Sequence, residues 1–260
     1  MRFTDFTFDG TYLSDFDMFA GKYNDTNNDN VFTGGDVTFT AVKVPGNDKQ
    51  RFGGSSFDTP LSCTFDIIKN DNKTIEQDEY SSLMRWLVRP DGYHKISFCS
   101  DGFEDIYFNA QINATPIDVN NDHVGLHLTI TTDSSFGYSA EVKKTFSFDG
   151  TNKLNFNDNS DKIGITYPYV KMTIFEAGNL SLANENYANN TTTVKNCTVN
   201  QVIEFKADKK GITGITNPND FNFLFPVICN TYSNRKNSFT CNLQANIEIK
   251  YKYTRMVTVS

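Results

Sequence analysis

Residues 60–112 carry three consecutive patterns: "PLSCTFDII" (60–68), "TIEQDEYSSLMRWLV" (74–88) and "DIYFNAQI" (105–112). In the first, Leu61, Cys63, Phe65 and Ile67 fall on one face. In the third, Ile106, Phe108, Ala110 and Ile112 do the same. Period two with one polar face marks half-buried antiparallel strands. The middle stretch breaks the rule, because Tyr80, Leu83, Met84, Leu87 and Val88 recur at helical spacing. Thr74 with Gln77 forms a capping-box pattern, acids occupy the first turn, and Pro90 ends the helical text. "RPDG" then supplies a turn. The block reads as strand, helix over 75–88 packed on the sheet, and strand.

Alternation continues outward from this block. "VGLHLTI" sets Val124, Leu126, Leu128 and Ile130 on one face, and "YVKMTI" sets Val170, Met172 and Ile174. "NIEIKYKY" opposes Ile247, Ile249, Tyr251 and Tyr253 to Glu248, Lys250 and Lys252. In "FNFLFPVICNTYSNRKNSF" (221–239), Phe221, Phe223 and Phe225 are expected to alternate into a core. Pro226 implies an edge or bulge there, and "NTYSNRKN" connects to the strand "SFTCNL". Three polar stretches, 22–30, 146–162 and 184–193, are expected to be mobile loops or weak strands.

The chain has 260 residues, enough for one large β domain or two ordinary ones, and 23 Phe and 12 Tyr supply apolar surface for a core. Net charge is −7 but uneven. Residues 1–144 hold 12 Lys+Arg against 22 Asp+Glu, a balance of −10, and residues 145–260 stand at +3. That switch predicts two domains, 1–144 and 145–260. The acidic half argues against DNA binding, which needs Lys and Arg to displace counterions. The five Cys form no CxxC and are expected to be small buried thiols of a reducing compartment. "MRFTDFTFDG" has no apolar signal-peptide core and no run reaches membrane-span length, so assembly in a cytoplasm is expected.

Candidate chemistry is weak. His94, His123 and His127 could be forced into a Ser–His–Asp set, but there is no nucleophile elbow and no HExxH. The adjacent acids Asp78/Glu79 and Glu104/Asp105 point apart and so do not form a glycosidase pair. "DTNNDNVFTGGD" (25–36) lacks the Gly and Glu positions of an EF-hand. Trp86 lies within the helical text rather than on a sugar-stacking platform. Catalytic, cofactor and metal residues are therefore expected to be absent.

The ordered set of elements resembles the distal tail proteins of long-tailed bacteriophages over nearly the whole length. The resemblance rests on "FTFDG" (6–10), the strand–helix–strand block, "LHLTITTDSSFGYS", "YPYVKMTI" and the final "FNFLFPVICNTYSNRKNSF…NIEIKYKYTR". "SSFGYS" departs from the family, in which a Pro-aromatic pair often precedes the Tyr. The resemblance implies a β-rich first domain with one helix, six copies of which close a ring, and a galectin-like antiparallel β-sandwich as the second. It implies a non-enzymatic hub in the virion tail, a homohexamer joining the tail tube protein to tail-tip or tail-associated lysin-type proteins. DNA would pass through the ring without specific binding, and part of the acid of residues 1–144 is expected to face that channel. The candidate oligomer contacts are Phe32, Val37, Phe39, Arg51 and Phe52. The rival expectations are a tail tube protein, a carbohydrate-binding adhesin and a glycosidase.

Overall fold

Alternating segments can satisfy their backbone only by pairing, and in the first part of the chain they pair into one antiparallel sheet. In the computed structural model, residues 3–256 are described except 22–30, 34, 36, 47, 71–72, 121, 188–189, 207–208, 210 and 232. The chain divides into two compact units, Met1–Tyr138 with Arg255–Ser260, and Ser139–Thr254.

In the first unit, the sheet runs Thr11–Tyr12, Phe6–Phe8, His94–Phe98, Ile106–Val119, Asp122–Thr132, Ser62–Lys69 and Met18–Gly21. Leu61, Cys63, Phe65, Ile67, Ile106, Phe108, Ala110 and Ile112 are all buried, as their alternation requires. Leu126, Leu128 and Ile130 follow the same rule. Val124 does not, because the register slips between His123 and Gly125 and leaves it half-buried. Gly125 is required at this slip, since a Cβ would lie 2.6 Å from the Ile67 carbonyl oxygen.

The helix spans Gln77–Leu87, shorter than the expected 75–88. Its cap is not Thr74. Ile75 is buried and its N–H donates to the His123 carbonyl at 2.7 Å, which keeps the chain extended up to that point. Glu76 is the N-cap, and its N–H donates to the Glu79 carboxylate at 3.0 Å. Leu83 and Leu87 are buried, while Val88 is exposed. Trp86 fastens the helix. Its indole N–H donates to the Phe8 carbonyl at 3.1 Å, and its ring stacks on Phe16 at 4.6 Å and on Phe6 at 5.9 Å. The single Trp is therefore a packing residue.

The second unit is a β-sandwich. One sheet runs Val142–Asp149, Gln244–Tyr251, Tyr169–Ile174, Val202–Lys206 and Gly211–Thr213. The other runs Lys153–Asn157, Lys236–Cys241, Gly178–Asn184 and Thr191–Cys197. They share one core, in which Val170, Met172, Ile203, Phe205, Ile247 and Ile249 meet Leu154, Leu180, Leu182, Val194 and Phe239.

Three expectations for this unit need correction. The stretch 146–162 is not a weak mobile segment, because its strands Val142–Asp149 and Lys153–Asn157 each pair over their whole length. The turn between them is closed by Asp149, whose carboxylate accepts the N–H groups of Thr151 and Asn152 at 2.8 Å each. The loop read over 184–193 is shorter, since strands run to Asn184 and resume at Thr191. Asn184 is buried, and its amide donates to the Val227 carbonyl at 2.9 Å and to Asn237 Oδ1 at 2.6 Å.

Finally, Phe221–Phe225 is not a strand. Phe221 is buried and Phe225 half-buried, but Phe223 is 66% exposed. Asn222 causes the break. Its Oδ1 accepts from the Leu224 N–H at 3.2 Å and from the Thr193 N–H at 3.1 Å, and Phe223 takes a left-handed φ of 59°. Side-chain bonds of this kind compete with strand pairing.

The five thiols are free, and Cys63, Cys197, Cys229 and Cys241 are buried. Cys99 is exposed, against expectation, because it lies just beyond the end of strand His94–Phe98. Burial pushes the Cys63 thiol far up and leaves it inert as a nucleophile.

Two predictions follow from this packing. Leu87 is fully buried, so Leu87→Ala should lower stability by about 2–5 kcal/mol. A denaturant midpoint that does not move would contradict the packing of the helix. Asp158 is 2% exposed, and burial raises its carboxyl above the ordinary value although Ser160 N–H donates to it at 3.2 Å. The folded state therefore holds this proton more tightly. The stability it contributes is present below the ordinary carboxylate pKa and is lost as pH rises through the raised value. Asp158→Asn retains an acceptor for Ser160, so its melting temperature relative to wild type should be higher at pH 7 than at pH 3.5. An equal difference at both pH values contradicts this.

Candidate assembly surface

The residues weighed for catalysis do not converge. His94 lies between two carboxylates, Nδ1 at 2.7 Å from Asp9 and Nε2 at 3.0 Å from Asp91. A hydrogen bond from Arg89 holds the Asp91 carboxyl down at about 2. His127 pairs with Asp66 at 2.7 Å, and His123 pairs with Asp118 at 2.5 Å while its ring stacks on Tyr80. Glu79 caps the helix and bonds Lys69 at 2.8 Å, and Glu104 accepts the Gly102 N–H at 3.1 Å. These are local structural contacts at separate places. Among the described residues, no group of three or more His, Cys, Asp or Glu could hold a metal ion. No described helix is long and apolar enough to cross a membrane. The Asp/Asn stretch 25–36 lies largely outside the described residues.

The feature that stands out in the first unit is a ribbon. Thr38–Lys43 and Gln50–Ser56 pair with each other and form a separate two-stranded sheet. Gly46 turns it, with φ 80°. The register slips between Thr40 and Ala41, opposite Gly53 and Gly54, which increases local twist. Every residue of Thr38–Lys43 is exposed. Phe39 and Phe52 are each 70% exposed, with ring centroids 6.3 Å apart. Register sets Phe52 opposite Ala41, and Arg51 opposite Val42 on the other face.

Three of the five expected contact residues, Phe39, Arg51 and Phe52, thus belong to one ribbon, with Lys43 at the end of its first strand. Val37 precedes it and is half-buried. Phe32 lies in the strand Val31–Thr33, which pairs with Ser62–Thr64, and its side chain is outside the described residues.

The ribbon's root was not legible in the sequence. Ser135 is buried, with its hydroxyl 2.5 Å from the Thr59 carbonyl and 3.2 Å from that of Phe57. The Phe57 ring packs on Phe136 at 4.8 Å. These contacts fix the outgoing strand on the sheet and leave the rest of the ribbon without a core. Exposed aromatic rings beside strand edges that pair with no other described strand are suited to docking another chain.

A crystal structure of the SPP1 Dit protein, described as a paradigm of the hub adsorption apparatus in phages infecting Gram-positive bacteria, has a similar fold. Its TM-score is 0.63 at 14% identity, over 97% of this chain and 100% of that one. No curated protein matches the sequence. Two family profiles do: a phage tail protein N-terminal domain over residues 1–134 and a phage tail C-terminal domain over residues 136–251. The chain belongs to this family of phage tail proteins.

Proposed function

We propose that this tail protein is a structural hub rather than an enzyme. Six copies close a ring through the first unit, and the Phe39–Phe52 ribbon lies between neighbouring subunits. The ring joins the tail tube protein to tail-tip or tail-associated lysin-type proteins, and it leaves a channel through which DNA passes. It is assembled in the host cytoplasm and ends in the virion tail. The exposed aromatic ribbon carries this reading, since a solitary protein gains nothing from keeping two Phe rings in water. The family and the hub-like fold agree with it. Closed cyclic contact also explains how growth stops at one ring, whereas an open contact gives filaments.

The channel wall follows from the charge split. An excess of acid in residues 1–144 facing the lumen denies phosphates the Lys and Arg they bind and keeps the duplex centred by repulsion. A ring lined by Lys43, Lys49 and Arg51, with its carboxylates outward, contradicts this wall.

Native mass spectrometry tests the ring. Six-fold closed species are expected, long open polymers would move the assignment to a tail tube, and a strict monomer at high concentration would sink the hub. Phe39→Ser with Phe52→Ser should weaken association by about 2 kcal/mol or more while leaving the melting temperature of the subunit unchanged. An unaltered oligomer distribution places the contact elsewhere.

A further inference from the structure

The second unit carries a polar sheet face rich in lysine. On the sheet of Val142–Asp149, Gln244–Tyr251, Tyr169–Ile174 and Val202–Lys206, the side chains that alternate with the core face outward. Register aligns Lys143, Lys250, Tyr169 and Lys206 in one row across four strands. The next row is Thr145, Glu248, Lys171 and Glu204. A third holds Ser147, Asn246, Thr173 and Val202.

Beside the first row lies a shallow depression of about 410 Å³ lined by Glu141, Tyr167, Tyr169, Lys206, Lys209 and Lys250. A second one, over the other two rows, includes Thr145, Ser147, Lys171, Thr173, Asn246 and Glu248. Tyr167 is 52% exposed, and Lys250 Nζ sits 5.6 Å from the centre of the Tyr169 ring. The lysines are held in place by glutamates: Lys143 to Glu248 at 2.5 Å, Lys250 to Glu248 at 3.3 Å and Lys206 to Glu204 at 2.7 Å. Among the described residues of this face, Lys143, Lys171, Lys206, Lys209 and Lys250 outnumber Glu141, Glu204 and Glu248.

The geometry points to a binding site for an acidic saccharide chain on this face, with Tyr167 and Tyr169 as a stacking shelf and Lys206, Lys209 and Lys250 as anion contacts. Aromatic rings stack on the apolar face of a sugar, and ammonium groups take its carboxylates. The interleaved Glu204 and Glu248 suit the hydroxyl groups between the charges, because an ionised carboxylate only accepts hydrogen bonds. Thr145, Ser147, Thr173 and Asn246 extend the same hydroxyl-compatible surface. Nucleic acid fits less well. Its phosphates recur every ~1.7 Å along a duplex and would meet the glutamates as well as the lysines. A protein partner anchors best on an extended apolar pocket, and the apolar contribution here is small: Val202 in the third row, and Phe146 and Ile247 in the lining of the second depression.

The test is titration calorimetry of the full chain with hexagalacturonate, backed by amide shifts at Tyr167 and Tyr169. The charged hexamer should bind, and its methyl ester, with the same rings and no charge, should bind at least about tenfold more weakly. Lys206→Gln with Lys209→Gln, and separately Tyr167→Ala, should each weaken binding by about tenfold. These residues are at the surface, so an unchanged melting temperature shows that each variant is folded. Equal binding of the ester, unaltered binding by both variants, or no binding of hexagalacturonate overturns the proposal. So does hexaglutamate binding as tightly with the same dependence on the variants, which would make the face an acidic-peptide surface. The readout is the same on a monomer or a ring, so its failure leaves the hub reading untouched and the reverse also holds.

Discussion

A two-stranded ribbon cannot bury its own side chains. It has two faces, both open, and two edges whose backbone groups lack partners. The ribbon Thr38–Ser56 nevertheless carries Phe39, Val42 and Phe52 on those faces. Burying one Phe side chain stabilises by about 1.5–3 kcal/mol. That stabilisation is left unclaimed within the subunit and is available to an assembly. The rest of the first unit is organised so that it can be left unclaimed. The sheet closes over Phe65, Ile67, Phe108 and Leu128, and Trp86 clamps the helix to the Phe8 backbone, so the core does not draw on the ribbon.

The second unit solves its problem differently. Its two sheets face one core, and Asp149 closes the turn that carries the chain from one sheet to the other. Outside one of those sheets lies a set of ion-paired lysines around two tyrosines, while Phe175, Val199 and Phe223 are exposed elsewhere on the unit. The first unit thus presents a paired aromatic ribbon, and the second presents one polar, lysine-rich sheet face.

Period-two alternation was sufficient to place most of the fold, because burial on one sheet face is decided residue by residue. Strands such as Tyr169–Ile174 and Gln244–Tyr251 are legible for that reason. Where polar side chains bond the backbone, alternation misleads. Asn222 turns "FNFLF" into a bend with an exposed Phe223, and Asp149 turns an apparently weak segment into a tight corner between the two sheets. The helix was legible from its apolar stripe but its start was not, because a bond from Ile75 to His123 across the fold decides it. Of the candidate surface, Phe39, Arg51 and Phe52 were visible as residues, but their isolation on a ribbon rooted by Ser135 depends on contacts between distant parts of the chain.

Electron microscopy of the purified chain, taken to side-chain detail, tests the central claim most directly. The account predicts closed six-fold rings in which residues 38–56 lie between subunits and the Phe39 and Phe52 rings are covered. Rings in which this ribbon faces solvent, or particles of one subunit at concentrations where other tail proteins assemble, would contradict it.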